Sequence, residues 1–153
     1  MFRVDTHDLL GINITIKDKE VHIEMKDQIR AAIEWGKSQG GRKPPNPAKT
    51  DLFDVDKTLN LLDEGDLDIF HSVVRKLLYI SKHARTSIET AISFLCTRVS
   101  EQIHEDEVKL TRVLWYLENT IDLVHTIGAS SFSVLTTWVD ASYAVHRYSV
   151  LSH

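Results

Sequence analysis

Residues 9–25 read Leu9-Leu10-Gly11-Ile12-Asn13-Ile14-Thr15-Ile16-Lys17-Asp18-Lys19-Glu20-Val21-His22-Ile23-Glu24-Met25. Leu10, Ile12, Ile14 and Ile16 alternate with Leu9, Gly11, Asn13 and Thr15, the period-two pattern of a half-buried strand. After the polar stretch Lys17-Asp18-Lys19-Glu20, Val21, Ile23 and Met25 alternate again. The two runs predict a β-hairpin with a four-residue polar loop, and no Asn-Gly or Asp-Gly pair dictates its turn type. Met25, Ile29, Ala32 and Ile33 then share one face of a helix, so the hairpin is expected to pack under that helix. Residues 1–35 form the first unit of the expected organisation.

The next unit, residues 36–66, has the composition of a linker. All three prolines fall in Gly40-Gly41-Arg42-Lys43-Pro44-Pro45-Asn46-Pro47, where proline removes amide donors and glycine frees the backbone. Residues 35–50 hold four basic groups (Lys37, Arg42, Lys43, Lys49) and no acid, while residues 51–68 hold seven acids against Lys57 alone. Two readings stand side by side. One is a solvated loop with oppositely charged halves; in the other the basic half meets phosphate and the acidic half only solubilises.

Residues 67–127 read as helical. Asp66 or Asp68 can cap a helix with the stripe Phe70, Val73, Val74, Leu77 and Leu78. Thr86 and Glu89 have capping-box spacing, and Ile88, Ala91, Ile92, Leu95 and Val99 would face inward from a second helix. A third, from about Glu105 to Asn119, carries Leu110, Val113, Leu114 and Leu117. Beyond Gly128-Ala129-Ser130-Ser131, the β-branched and aromatic stretch Phe132 to Val139 predicts a strand. Such a late strand finds a partner only by joining the N-terminal hairpin. The expected class is α+β: a β-hairpin plus helix, a three-helix central region, and a C-terminal strand in residues 128–153.

Composition narrows the chemistry. The chain has 153 residues, 42% hydrophobic and 26% charged, inside the globular range. Its 18 basic and 22 acidic residues give a net charge of −4, which argues against a strongly basic nucleic-acid binder and leaves only local patches for phosphate. A single cysteine, Cys96, excludes an internal disulfide and a thiolate-rich zinc site within one chain, and reads as a small buried hydrophobe. The N-terminus carries charge where a signal peptide needs an apolar stretch, and the longest apolar run, Val113 to Leu117, is far too short to span a bilayer. A soluble chain, cytoplasmic or nuclear and without a membrane partner, is expected.

There is no Gly-x-Ser-x-Gly elbow and no His-Glu-x-x-His pair. Gly36 and Gly41 have Walker-type spacing, but Arg42-Lys43 and Pro44-Pro45 stand where a Lys-Ser/Thr pair and a helix start are needed. His7 beside Asp5 and Asp8, and His104 beside Glu105 and Asp106, read as solvated polar clusters. That leaves Asp140 in Trp138-Val139-Asp140-Ala141. A strand end holds a carboxylate rigidly enough to ligate a metal, although a lone aspartate there is by default a turn or cap residue.

Three stretches resemble the distal part of a copia-type retrotransposon polyprotein, where reverse transcriptase runs into RNase H. Asp8-Leu9-Leu10-Gly11-Ile12-Asn13-Ile14, followed by His22-Ile23-Glu24-Met25, is similar to the family's primer-grip hairpin, F-L-G-I-x-I … I-x-x-x-Q. Phe70 to Ile80, leading through Arg85 to Ala91-Ile92-Ser93-Phe94-Leu95, resembles Y-R-S-x-V-G-x-L-x-Y-L … T-R-P-D-I-x-x-A-V-x-x-L. Arg112-Val113-Leu114-Trp115-Tyr116-Leu117-Glu118-Asn119-Thr120, with Trp138-Val139-Asp140-Ala141, looks like R-V-L-R-Y-L-K-G-T … D-A-D-W-A. The likeness covers roughly residues 8–146.

The resemblance implies a primer-grip hairpin, thumb and connection-like helices, and the first strand of an incomplete RNase H-like domain at 128–153. It implies an RNA–DNA template–primer as the partner, contacted by Leu10, Gly11 and Ile12 and by the basic Lys37, Arg42 and Lys43. It makes Asp140 an orphan RNase H carboxylate and an incomplete magnesium site. The departures point away from activity. The Tyr-x-Asp-Asp polymerase motif is absent, residues 141–153 hold no acid, and Arg85-Thr86-Ser87-Ile88 replaces Arg-Pro-Asp-Ile. Two-metal phosphoryl transfer needs several carboxylates around a pair of ions, so a fragment cut at both ends, inactive alone and binding no magnesium tightly, is expected. The alternative is a non-catalytic helical interaction module derived from a retroelement.

Overall fold

The computed structural model describes residues 5–17, 20–35, 43–55, 64–99 and 103–128. Strands β1 (Asp5–Leu9), β2 (Ile12–Lys17) and β3 (Glu20–Glu24) are followed by helices α1 (Lys26–Trp35), α2 (Glu64–His83), α3 (Glu89–Thr97) and α4 (His104–Asn119), and then by β4 (His125–Gly128). The strands form one antiparallel sheet in the order β1-β2-β3-β4. The fold class is α+β.

Register decides what the sheet buries. The pairs Leu9↔Ile12, Ile14↔Ile23, Ile16↔Val21 and Val21↔Ile127 stack apolar side chains on one face, because side chains alternate along each strand. Ile12 is buried, and Ile14 and Ile23 pack against the same core, whereas Ile16 and Ile127 at the far end stay exposed. The opposite face is polar, with Thr6 and Thr15 hydroxyls 3.4 Å apart and His22 3.0 Å from Glu20. The hairpin between β2 and β3 forms where the alternation placed it. It is tighter than expected, since Lys17 and Glu20 pair across the ladder rather than belonging to the loop.

The apolar stripes read from the sequence are the ones that make the core. Met25, Ile29 and Ala32 of the α1 face are buried, and the Ile29 amide donates to the Met25 carbonyl (3.0 Å) as the helix starts. In α2, Phe70, Val73, Val74 and Leu77 are buried with Ile80, while Leu78 is half-buried. This helix begins at Glu64, so Asp66 and Asp68 lie inside its first turns rather than at its cap. Their charge there still favours the positive end of the helix dipole. Helix α2 packs on α1 and α3, and α4 packs on α1 and α3.

The Thr86–Glu89 capping box does not form. A capping threonine needs extended backbone, and Thr86 instead opens a 3-10 turn over Thr86–Ile88 that leads into α3 without a side-chain cap. The Glu89 carboxylate pairs with Lys82. At the other junction Asp106 accepts the Ile103 amide (3.1 Å) and the Arg98 Nε–H (3.2 Å), tying the end of α3 to the start of α4 through a buried ion pair.

Residues 43–55, expected as solvated linker, lie against the helices. Leu52 enters the core, Ala48 and Val55 pack on it, and Phe53 meets Phe94 edge-on with ring centres 5.4 Å apart. The Lys109 ammonium donates to the Asp54 carbonyl. Charge counting hid Leu52, Phe53 and Val55, which stand among the acids. The strand expected at Phe132–Val139 lies outside the described residues. Among the described residues β4 joins the hairpin by pairing with β3, and it straddles the end of the stretch read as helical. Among the described residues no helix is long and apolar enough to cross a membrane.

Two substitutions test this core. Leu77→Ala should cost ~2–5 kcal/mol by denaturant melt, as large-to-small changes at fully buried sites do. Asp106→Ala should cost about 3 kcal/mol or more, since it leaves Arg98 buried without its carboxylate and frees the Ile103 amide. A loss under about 0.5 kcal/mol at either position would contradict the packing described.

Candidate nucleic-acid interface at the hairpin turn

Strand β1 reverses into β2 through only two residues, because Leu9 pairs with Ile12. Both turn residues have positive φ, +55° at Leu10 and +79° at Gly11, which is the signature of a type I′ turn and matches the right-handed twist of the strands. Leu10 was expected on the strand, in phase with Ile12. The alternation runs through the turn without a break, so periodicity alone could not separate them. Glycine takes this conformation freely, whereas a leucine in the left-handed region is strained by roughly 1–2 kcal/mol.

The surrounding helices hold the strained turn. A Cβ at Gly11 would collide with Gln28 Nε2 of α1 and lie 3.2 Å from its Cδ, so the glycine permits close approach as well as the turn. From α2, the Tyr79 hydroxyl donates to the Leu10 carbonyl at 3.3 Å. Tyr79 is itself placed by His83, whose ring lies 4.4 Å away at a 45° tilt and whose Nδ1 donates to the Tyr79 carbonyl (2.7 Å). The side chains at the tip point to solvent: Leu9 is 58% and Leu10 79% exposed. The result is a rigid apolar knob, braced from behind by an aromatic pair.

The sequence-derived site residues separate on this frame. Leu10 and Gly11 form the knob, but Ile12 beside them faces the core. Lys43 is exposed, and its side chain pairs with no group among the described residues. Lys37, Arg42 and Asp140 lie outside the described residues. Gln28, Tyr79 and His83 did not stand out in the sequence. A glycine after an exposed leucine could have flagged the turn, but nothing local marks a tyrosine sixty-nine residues away as its brace.

Elsewhere the polar chemistry is structural. Arg85 is buried and donates to the Thr120 carbonyl (2.9 Å) and hydroxyl, with its guanidinium 5.8 Å over the Tyr116 ring. Burial pulls that guanidinium below its ordinary value, and Tyr116 partly opposes the shift. The Cys96 thiol is half-buried and pushed up by desolvation against the pull of Lys82, so it is a poor thiolate source. Lys26 is raised by its hydrogen bond to Asp122 and by Glu24. Among the described residues no group of three His, Cys, Asp or Glu side chains is placed to hold a metal.

The turn can be tested apart from any function. Gly11→Ala should destabilise the chain by about 1–2 kcal/mol from the left-handed backbone alone, and by more if Gln28 cannot yield. Leu10→Asn, a residue that tolerates this conformation, should be neutral or stabilising by up to about 1 kcal/mol. Thermal melts of both variants check the pair of signs. No family model, no curated protein and no solved structure matches the chain.

Proposed function

We propose that this chain is the distal part of a copia-type reverse transcriptase and acts by binding nucleic acid rather than by catalysis. Three motifs in family order support the descent. The observation that carries the binding role is the braced, solvent-exposed knob at Leu9-Leu10-Gly11. A primer end needs a rigid apolar surface to pack its terminal sugar and base, and a turn fixed from α1 and α2 supplies one. The basic Lys37, Arg42 and Lys43 would add sequence-independent phosphate contacts. Asp140 would be a lone RNase H carboxylate, with magnesium belonging to the intact enzyme. No carboxylate pair of the Tyr-x-Asp-Asp type accompanies it in this sequence. A cytoplasmic or nuclear setting goes with this reading.

Fluorescence anisotropy with a labelled RNA–DNA template–primer tests the reading. Binding should be weak, with a dissociation constant of roughly micromolar order, and should fall with salt at a log–log slope near −2 to −3, the mark of a few phosphate contacts. Leu10→Asp should weaken binding at least roughly fivefold without a large change in stability, because the side chain is exposed and touches no core. Binding that ignores both salt and Leu10 would remove the proposal. Nanomolar affinity at physiological salt would overturn the picture of a weakly binding remnant.

A further inference from the structure

Arg85, Arg98 and Arg112 all sit partly or fully inside the helical core, and two of them are held by protein acceptors, although Arg85 Nε, like Arg112 Nε, is buried without one. Arg85 is held by Thr120, and Arg98 by Asp106. Arg112 on α4 is half-buried, its side chain makes no hydrogen bond, ion pair or ring contact among the described residues, and its Nε is shut from solvent with no acceptor. A guanidinium that has lost hydration without gaining an acceptor is unfavourable, so its surroundings matter.

Arg112 lines a cleft of about 180 Å³ between one face of α4 and the segment Pro47–Leu52. Trp115, one turn further along α4, and Val108, one turn back, give apolar walls with Leu52 and Pro47 opposite. Lys49 stands on the exposed rim, and its ammonium pairs with no group among the described residues. Lys109, also on the lining, is already occupied by Glu105 at 3.8 Å and by the Asp54 carbonyl. Two uncommitted cations therefore share the cleft with an indole. The acids Asp51 and Glu105 on the same lining disfavour an extended polyanion such as nucleic acid and leave room for one compact anionic group. The volume is below the ~300 Å³ of a drug-sized pocket, which suits a single ring.

We propose that this cleft binds a small aromatic anion, its phosphate or carboxylate held by Arg112 and Lys49 and its ring set against Trp115. The guanidinium edge formed by Nε and one Nη presents two parallel donors to a pair of anion oxygens. No described residue holds the side chain, so rotation about its last bonds would be needed, and is open, to bring the buried Nε edge into the cleft. The site is independent of the hairpin knob and of any nucleic-acid role.

Nitrogen-15 NMR on the full chain tests it, following the Trp115 indole N–H and the Arg112 Nε–H. Phenyl phosphate and benzoate are titrated separately, which distinguishes phosphate from carboxylate, with inorganic phosphate as the ringless control. At least one aromatic probe should shift both signals saturably, and inorganic phosphate should bind roughly tenfold more weakly or worse. Arg112→Gln should weaken the aromatic probe roughly tenfold or more, as loss of a partly desolvated charge partner does. Should that variant fail to fold, Lys49→Gln on the exposed rim carries the comparison, with an expected loss of roughly threefold. No saturable shift below ~10 mM of either aromatic probe overturns the proposal. So does equal affinity for inorganic phosphate, or unchanged binding in the variants that fold.

Discussion

Burial of one stripe of α2 is the constraint on which the other elements depend. Phe70, Val73, Val74, Leu77 and Ile80 are shut from solvent. Burying such side chains stabilises by about 1.5–3 kcal/mol each, so the stripe is a major local driving force. A twenty-residue helix cannot hide it alone. Helices α1 and α3 pack on α2, α4 reaches both of them, and the apolar residues of β2 and β3 add to the same cluster. The sheet itself is short and buries only one end of its inner face.

That packing also explains how the strained turn persists. A left-handed leucine is tolerable only when surrounding structure over-determines it. Here β1 and β2 are locked by five cross-strand pairs, Gln28 fills the space over Gly11, and Tyr79 reaches the Leu10 carbonyl from the same helix whose other side makes the core. The strain is held in place by elements far away in sequence, and the side chain so held faces water. An exposed apolar tip on a rigid mount is an unusual investment for stability alone, and it is the feature on which the proposed binding role rests.

The buried charges follow a consistent logic. Asp106 and Arg98 pair through Asp106 Oδ2 while fixing the α3–α4 junction, and Arg85 caps the carbonyl end of α4 through Thr120, where a cation also suits the negative end of the helix dipole. Each joins chain segments that helix propensity alone would leave free to swing. Arg112 lies on α4 without any such partner among the described residues, which sets its cleft apart from these structural pairs.

The periodicities at Ile12–Ile16, Val21–Met25, Phe70–Leu77, Ile88–Leu95 and Leu110–Leu117 determined the hairpin, the helices and most of the core, because burial on one face imposes a spacing that local sequence must carry. Periodicity could not tell that Leu10 belongs to a turn, since the alternating pattern crosses it unbroken and only Gly11 hints at it. It could not tell that Thr86 would open a 3-10 turn, or that His125–Gly128 would pair with β3, since four residues carry too little pattern. Leu52 looked like part of an acidic loop until Phe94 and Lys109 of distant helices were brought beside its neighbours. The brace formed by Gln28 and Tyr79, and the isolation of Arg112, are facts about partners rather than about residues. Such partners come together only when the chain closes on itself, so tertiary structure alone decided them.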